Sequence, residues 1–286
     1  VIIQLKDGRH LAYNEYGDPS GTPLFFFHGT PGSRNCIKDD PMIAHSRIRL
    51  ILPDRPGMGL SDPHPARSFA SWAEDVCETA DALSIGKFHV AGGSGGGPHA
   101  LACATYAPGR VISSTLISSA APPDLPGLRK GMSRGNATGF FLAKYAPFVL
   151  HWAFSDYKKL VDKRPQVLVE ATLKELCPRD REVLADFEDT DMFIEELREA
   201  FSQGSQGVCR DFLLVARPWN FDYTKIMAPV FIWHGLADTL MPCDPAKVLA
   251  SMIPGCEAHF IDGAGHLMME DEDLCRRILE RIRSAG

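Results

Sequence analysis

Apolar residues along the chain fall into two rhythms that take turns. His10–Gly17 alternates apolar and polar side chains, the period of a half-buried strand. Leu24–His28, Ile48–Pro53, Phe88–Ala91 and Val111–Ile117 are short apolar runs, which suit strands buried on both faces. Between them, Ser68–Leu83 places Phe69, Trp72, Ala73, Val76, Ala80 and Leu83 near helical spacing, and Pro98–Tyr106 reads as another helix. The alternation returns late in the chain with strand Val230–His234, helix Asp244–Met252, strand Ala258–Ile261 and helix Glu270–Ile282. Strands and helices exchanged on short connections predict an α/β fold, a mostly parallel sheet with helices on both faces.

The middle of the chain breaks this rhythm. From about Ala121 to Lys225, clustered prolines (Pro122, Pro123, Pro126) and glycines (Gly127, Gly131, Gly135, Gly139) lead into several helical patterns with no convincing strand. The expectation is one helical insertion, residues 121–225, capping a main domain formed by residues 1–120 and 226–286. Its densest feature is aromatic: Phe140, Phe141, Tyr145, Phe148, Trp152 and Phe154. Phe141, Tyr145, Phe148 and Trp152 keep helical spacing, although Pro147 must kink or restart the helix. These rings suit packing onto the main domain or an apolar pocket, with Phe141, Tyr145 and Phe148 as candidate substrate contacts. Contact of a lid with a membrane surface is a third use, weakened because Lys144 is the only basic residue in the stretch.

Composition narrows the class. The 286 residues are 45% hydrophobic and 23% charged, an ordinary globular balance that excludes disordered and collagen-like chains. Thirty basic against 36 acidic residues leave a net charge of −6, which argues against general nucleic-acid binding. No run approaches the ~18 apolar residues of a membrane span. The start, Val1 to Lys6, lacks the basic opening and apolar centre of a signal peptide. A cytoplasmic protein without stable membrane association is expected. The eight cysteines stand singly, with no C-x-x-C pair and no zinc spacing, so reduced thiols and no metal site are expected.

One segment carries chemistry on its face. Ala91-Gly92-Gly93-Ser94-Gly95-Gly96-Gly97-Pro98 contains G-x-S-x-G between an apolar strand and an alanine-rich helix. That spacing puts a serine on a sharp strand-to-helix turn, its hydroxyl projecting past the sheet and small residues allowing neighbouring chain to pass. A dinucleotide-binding turn fits the same glycines poorly, because Ser94 stands where the second glycine is required. A serine hydroxyl needs a base, and the base needs an acid to hold its tautomer. The strand at Val230–His234 runs into a turn ending at Asp238, and the strand at Ala258–Ile261 runs into a small-residue loop ending at His266. Both side chains would emerge at the edge where Ser94 sits. Asp124, after Val111–Ile117, is a competing acid.

The chain resembles the α/β-hydrolase family, in the esterase and peptidase branch with an H-G-x-P-G loop. The resemblance runs through His28-Gly29-Thr30-Pro31-Gly32, Asp54-Arg55-Pro56-Gly57-Met58-Gly59-Leu60-Ser61, the Ser94 turn, His234–Asp238 and Gly263–His266. It implies Ser94 as nucleophile, His266 as base, Asp238 as orienting acid, and the backbone N–H groups of Thr30 and Gly95 as an oxyanion hole. It implies an acyl-enzyme, no cofactor, and a small-molecule ester of small or medium size as substrate. His28 is expected to brace the oxyanion loop, His234 to play a similar structural part, His99 to be packed, and Arg55 to anchor its own glycine-rich loop.

Three alternatives stay open. The loop at His28–Gly32 also resembles that of prolyl iminopeptidases, with Thr30 in place of a middle glycine. Such enzymes need insertion acids for a substrate amine, and Asp186, Glu188, Asp189, Asp191, Glu195 and Glu196 offer them, or else form a solvated helix face. Carbon–carbon bond hydrolases use the same three residues. A non-catalytic binding protein of the fold is the reading from a different class, although such proteins often lose a triad member.

Overall fold

The structure is a computed structural model describing residues 1–38, 40–186 and 190–286. The strands are β1 (Ile2–Gln4), β2 (His10–Gly17), β3 (Thr22–Phe27), β4 (Ile48–Pro53), β5 (Phe88–Gly93), β6 (Val111–Ile117), β7 (Val230–Gly235) and β8 (Glu257–Ile261). They form one sheet in the order β1-β2-β4-β3-β5-β6-β7-β8. The six strands from β4 to β8 run parallel, and β2 pairs antiparallel with both β1 and β4.

Side-chain alternation along each strand feeds two cores. Phe25 and Phe27 of β3, Ile51 of β4, Val90 of β5 and Ile232 of β7 face one side. There they meet α2 (Phe69–Ala82), α3 (Gly97–Tyr106) and α10 (Cys243–Met252). Leu24, Phe26, Leu50, Ala91, Phe231 and Trp233 face the other side, against α1 (Pro41–His45) and α11 (Glu272–Arg283). Apolar residues on both faces explain why these strands read as continuous apolar runs. Helix α2 opens with a reciprocal cap, in which Ser68 Oγ accepts from Ser71 N–H and Ser71 Oγ from Ser68 N–H.

Between β6 and β7 the described residues contain six helices and no strand: α4 (Arg134–Tyr145), α5 (Pro147–Lys163), α6 (Pro165–Glu175), α7 (Pro178–Asp186), α8 (Thr190–Ala200) and α9 (Gln206–Val215). Pro147 restarts the helix, since a proline at the first helical position loses no intrahelical bond. One cluster joins α4, α5 and α9 to Ala120, Ala121 and Met241. A second is built on Met58, which is buried among Val161, Leu168, Leu197, Phe201 and Val208. These helices are thus packed at two places onto loops that leave the main sheet. None of the described helices is long and apolar enough to cross a membrane.

Register decides where the chemistry gathers. Phe27 pairs with Gly92, Gly93 with Ile117, Ile117 with Trp233, and Gly235 with Ile261. These are the C-terminal ends of neighbouring parallel strands. The segments after β3, β5, β7 and β8 therefore leave the sheet along one edge, where ligands bind in open α/β sheets.

Candidate active site

Ser94 follows β5 directly and has φ +51°, a left-handed conformation that a non-glycine residue adopts at a cost. A short 3-10 turn (Ser94–Gly96) then leads into α3, whose Pro98 sits in the first turn. The turn is tight: a Cβ at Gly96 would run into the Phe27 carbonyl. The Ala120 N–H holds the Ser94 carbonyl at 3.0 Å.

Asp238 and His266 come together. His266 Nδ1 lies 2.8 Å from Asp238 Oδ2. A carboxylate can only accept, so Nδ1 carries the proton and Nε2 is left free for a second partner. The other Asp238 oxygen accepts the N–H groups of Leu240 and Met241, each at 2.8 Å. Burial alone would raise the Asp238 pKa, but His266, with His234 at 3.4 Å, holds it well below the usual carboxylate range. His266 responds in the opposite sense: burial opposes its charge, yet Asp238 raises its pKa, with help from Asp180 and Glu270. Ser94 shares the edge, but among the described residues it makes no hydrogen bond to His266. Asp124 is exposed after β6 and takes no part in this pair.

Thr30 lies on the loop after β3, beside the serine turn. A Cβ built on Gly95 would come within 3.2 Å of the Thr30 nitrogen, and one on Gly29 within 4.0 Å of Ser94 Oγ. Among the described residues the Thr30 N–H has no backbone acceptor. Gly95 stands in a first helical turn, where N–H groups lack intrahelical partners.

The bracing of this loop differs from the sequence expectation. Arg55 is fully buried and holds the loop after β3, not its own. It donates to the carbonyls of His28 and Gly29, to Thr30 Oγ1, and through two nitrogens to Asp211 of α9. The Asp54–Ser61 loop is instead tied by Asp54, which accepts from the N–H groups of Arg34 and Leu60. Guanidinium geometry explains the outcome, since its fork of donors reaches several carbonyls and a carboxylate at once. His28 does brace the loop: its Nδ1 donates to the Gly29 carbonyl at 2.8 Å, and its Nε2 accepts from Arg55 N–H at 3.3 Å. His99 is packed as expected, donating to the Gly95 carbonyl at 2.9 Å. Buried His234 lies 2.7 Å from the Met241 carbonyl through Nε2.

Several carboxylates escaped the sequence reading. Buried Asp180, on α7, accepts from His266 N–H at 2.8 Å and Leu267 N–H at 3.0 Å. Asp211 also receives bonds from Arg67 and Thr30. Glu270, also missed, stands near His266, while Glu196 of α8, one of the acids named from sequence, stands against Gly32 of the loop after β3. Burial pushes Glu196 up to about 8, with Glu270 adding to the shift, and burial raises Glu270 as well. Of the acidic run named from sequence, Asp191 and Glu195 are exposed, while Glu188 and Asp189 lie outside the described residues. The aromatic candidates are placed elsewhere. Phe141 and Tyr145 line an open groove of about 340 Å³ with Phe140, Lys144, Arg129 and Lys130, and none of Ser94, Asp238 and His266 lines it. Phe148 is 72% exposed and outside that groove.

A family model described as alpha/beta hydrolase fold matches residues 22–273. The chain belongs to the α/β-hydrolase family. A proline iminopeptidase of Neisseria gonorrhoeae is 26% identical over 97% of this chain and 96% of its own length. A non-heme chloroperoxidase of Streptomyces lividans is 32% identical over 42% of this chain and 45% of its own, so the chain matches less than half of that relative. Among solved structures, a thermophilic esterase from Thermogutta terrifontis superposes with TM-score 0.66 at 24% identity, covering 99% of this chain and 96% of that one. A putative aryl esterase from Burkholderia cenocepacia gives TM-score 0.70 at 21% identity, covering 100% and 98%. At these identities the structural likeness speaks for the fold.

The fit of α7 against the His266 loop can be tested through packing. A Cβ at Gly265 would run into the Asp180 carboxylate. Gly265→Ala is therefore expected to lower the unfolding free energy by about 1–3 kcal/mol, the usual cost of overpacking. Urea unfolding of the two proteins measures it.

Proposed function

We propose that this α/β-hydrolase is a serine hydrolase that cleaves carboxylic esters of small or medium apolar substrates through an acyl-enzyme. The observation that carries the reading is the His266–Asp238 bond, on the sheet edge where Ser94 is held in a left-handed turn. In the proposed cycle His266 Nε2 takes the proton of Ser94 Oγ as that oxygen attacks the ester carbonyl. Negative charge collects on the carbonyl oxygen, and the N–H groups of Thr30 and Gly95 receive it. The tetrahedral intermediate collapses, His266 protonates the departing alcohol, and Ser94 is left acylated. Water then repeats the sequence and frees the acid. Asp238 stays ionised throughout, orienting the ring and stabilising its cation. The helical insertion, residues 121–225, would form the roof over this site and select the substrate.

A second reading, an aminopeptidase similar to the proline iminopeptidases, is favoured by one observation. Glu270 helps to raise the Glu196 carboxyl, Glu196 stands against Gly32 of the oxyanion loop, and Glu270 stands near His266. Buried carboxylates whose charge is disfavoured by burial and by each other's field would be stabilised by an ammonium group.

Ser94→Ala and His266→Ala are each expected to abolish turnover of short p-nitrophenyl esters with circular dichroism unchanged, and a fluorophosphonate probe is expected to label Ser94. Turnover retained by either purified variant defeats the assignment. The acid limb of kcat/KM should lie above the ordinary imidazole value of about 6.5, because His266 must lose a proton that Asp238, Asp180 and Glu270 help retain. Glu270→Gln should move that limb to lower pH. The two substrate classes separate on pH and charge. An aminopeptidase would bind proline-naphthylamide more tightly as pH rises toward 8 and Glu196 ionises, and Glu196→Gln would remove the gain. An esterase would show a flat KM for neutral esters and no turnover of the amide.

A further inference from the structure

We propose that Asp211, on helix α9 of the insertion, is a positioning residue for the oxyanion hole: its carboxylate sets where the Thr30 N–H points. The proposal rests on Thr30 and Gly95 being the oxyanion donors, as argued above. Nothing in the sequence around Asp211 marks it, since it is one acid in a short helix and belongs to no motif.

The wiring is specific. Asp211 is fully buried. One oxygen accepts from Thr30 Oγ1 and from Arg55 Nη2, the latter at 2.7 Å. The other accepts from Arg55 Nε at 2.9 Å and from Arg67 Nη2. Arg55 in turn grips the carbonyls of His28 and Gly29 and also donates to Thr30 Oγ1 at 2.9 Å. Thr30 is therefore held through its side chain by Asp211 and Arg55, and through the two preceding peptides by Arg55. The Thr30 amide is the nitrogen of the Gly29–Thr30 peptide, whose oxygen is the Gly29 carbonyl. Fixing that oxygen and the Thr30 side chain leaves the N–H one direction.

The segment that leads into helix α9 is fastened to the main domain. Ser202 Oγ and Gln203 Nε2 donate to the Gly59 carbonyl at 2.8 and 2.9 Å, and Gln203 also donates to the Ser61 carbonyl at 2.8 Å. Val208 and Cys209, on α9 itself, are fully buried in separate clusters. Asp211 is thus delivered by a rigid element.

Charge and position make opposite forecasts, which is what makes the residue testable. Two guanidiniums and one carboxylate leave one net positive charge beneath the loop, because burial keeps His28 and His99 neutral. Were Asp211 only a counter-charge, neutralising it would increase the positive field on the oxyanion and speed the reaction. If it positions Thr30, neutralising it relaxes the loop and slows the reaction, and displacements near 1 Å can cost about a hundredfold.

The experiment compares the parent, Asp211→Asn, Thr30→Val and the double variant on a p-nitrophenyl ester, with each rate expressed per active site titrated to completion with the fluorophosphonate probe. The expected result is a kcat for Asp211→Asn lower by about a hundredfold with KM nearly unchanged, a smaller fall for Thr30→Val, and a double variant no slower than Asp211→Asn alone. A kcat per titrated site that is unchanged or raised in Asp211→Asn overturns the proposal, as do effects that multiply in the double variant. Should Asp211→Asn fail to fold, Thr30→Val decides alone: lowered kcat at constant KM supports the proposal, and an unaltered kcat overturns it. A parent that takes no fluorophosphonate on Ser94 removes the acyl-enzyme reading itself and is distinct from either result.

Discussion

A buried carboxylate accepting backbone N–H groups is the device on which this site depends. Asp238 takes the amides of Leu240 and Met241, Asp180 those of His266 and Leu267, and Asp54 those of Arg34 and Leu60. Segments leaving the edge of a parallel sheet have no ladder to satisfy their amides, and an amide buried without a partner is costly. A short acidic side chain supplies two acceptors at one point and fixes the path of the chain. Hydrogen bonds to charged groups contribute about 1.5–3 kcal/mol each, roughly twice a neutral bond. The loops are held by such points and not by regular structure, which lets them carry side chains into the space above the sheet.

The same logic sorts the histidines. His28, His99 and His266 are all largely buried, and burial alone would keep each neutral. Arg55 stands by His28 and His99, so their pKa values drop further, His99 to about 4. Asp238, Asp180 and Glu270 surround His266, so its pKa rises. The imidazole next to carboxylates can accept and return a proton near neutrality, while those next to guanidiniums remain neutral hydrogen-bonding struts. His266 differs from the other two in its neighbours and not in its residue type.

Much of this was legible in the sequence. Period-two alternation and short apolar runs marked the strands from β2 to β8, because a sheet covered on both faces imposes that pattern. The three-residue β1 was too short to show a period. Ser94, Asp238 and His266 were legible because each ends a recognisable strand and the order of strands is carried by the chain. Asp211 and Asp180 were not, because each is one side chain within a helix with no motif around it, and what it bonds lies far away in sequence. Arg55 was noticed but given the wrong partner. Its nearest groups in sequence belong to its own loop, whereas the fold brings the His28–Thr30 carbonyls and Asp211 within reach of its fork. Local pattern reports periodicity and turns, and it is silent on which buried charges will meet.

The insertion is bound to the site at more than one loop, and this constrains how substrate preference can change. Ser133 N–H and Asn136 Nδ2, at the start of α4, bond the Thr239 and Leu240 carbonyls beside Asp238, and Thr239 Oγ1 bonds the Glu175 carbonyl at the end of α6. Asp180 on α7 holds the backbone of His266, and Asp211 on α9 reaches Thr30. Substitutions at these contacts would disturb the proposed chemistry together with any pocket they reshape. Helix α5 differs in its first turns, where Phe148 and Trp152 are exposed and bond none of these loops. Variation there changes the insertion's surface while leaving the proposed base, acid and oxyanion donors in place. Divergence in substrate is therefore most easily accommodated on the exposed turns of α5, whereas Glu196 accepts the Ser33 N–H and so holds the loop after β3.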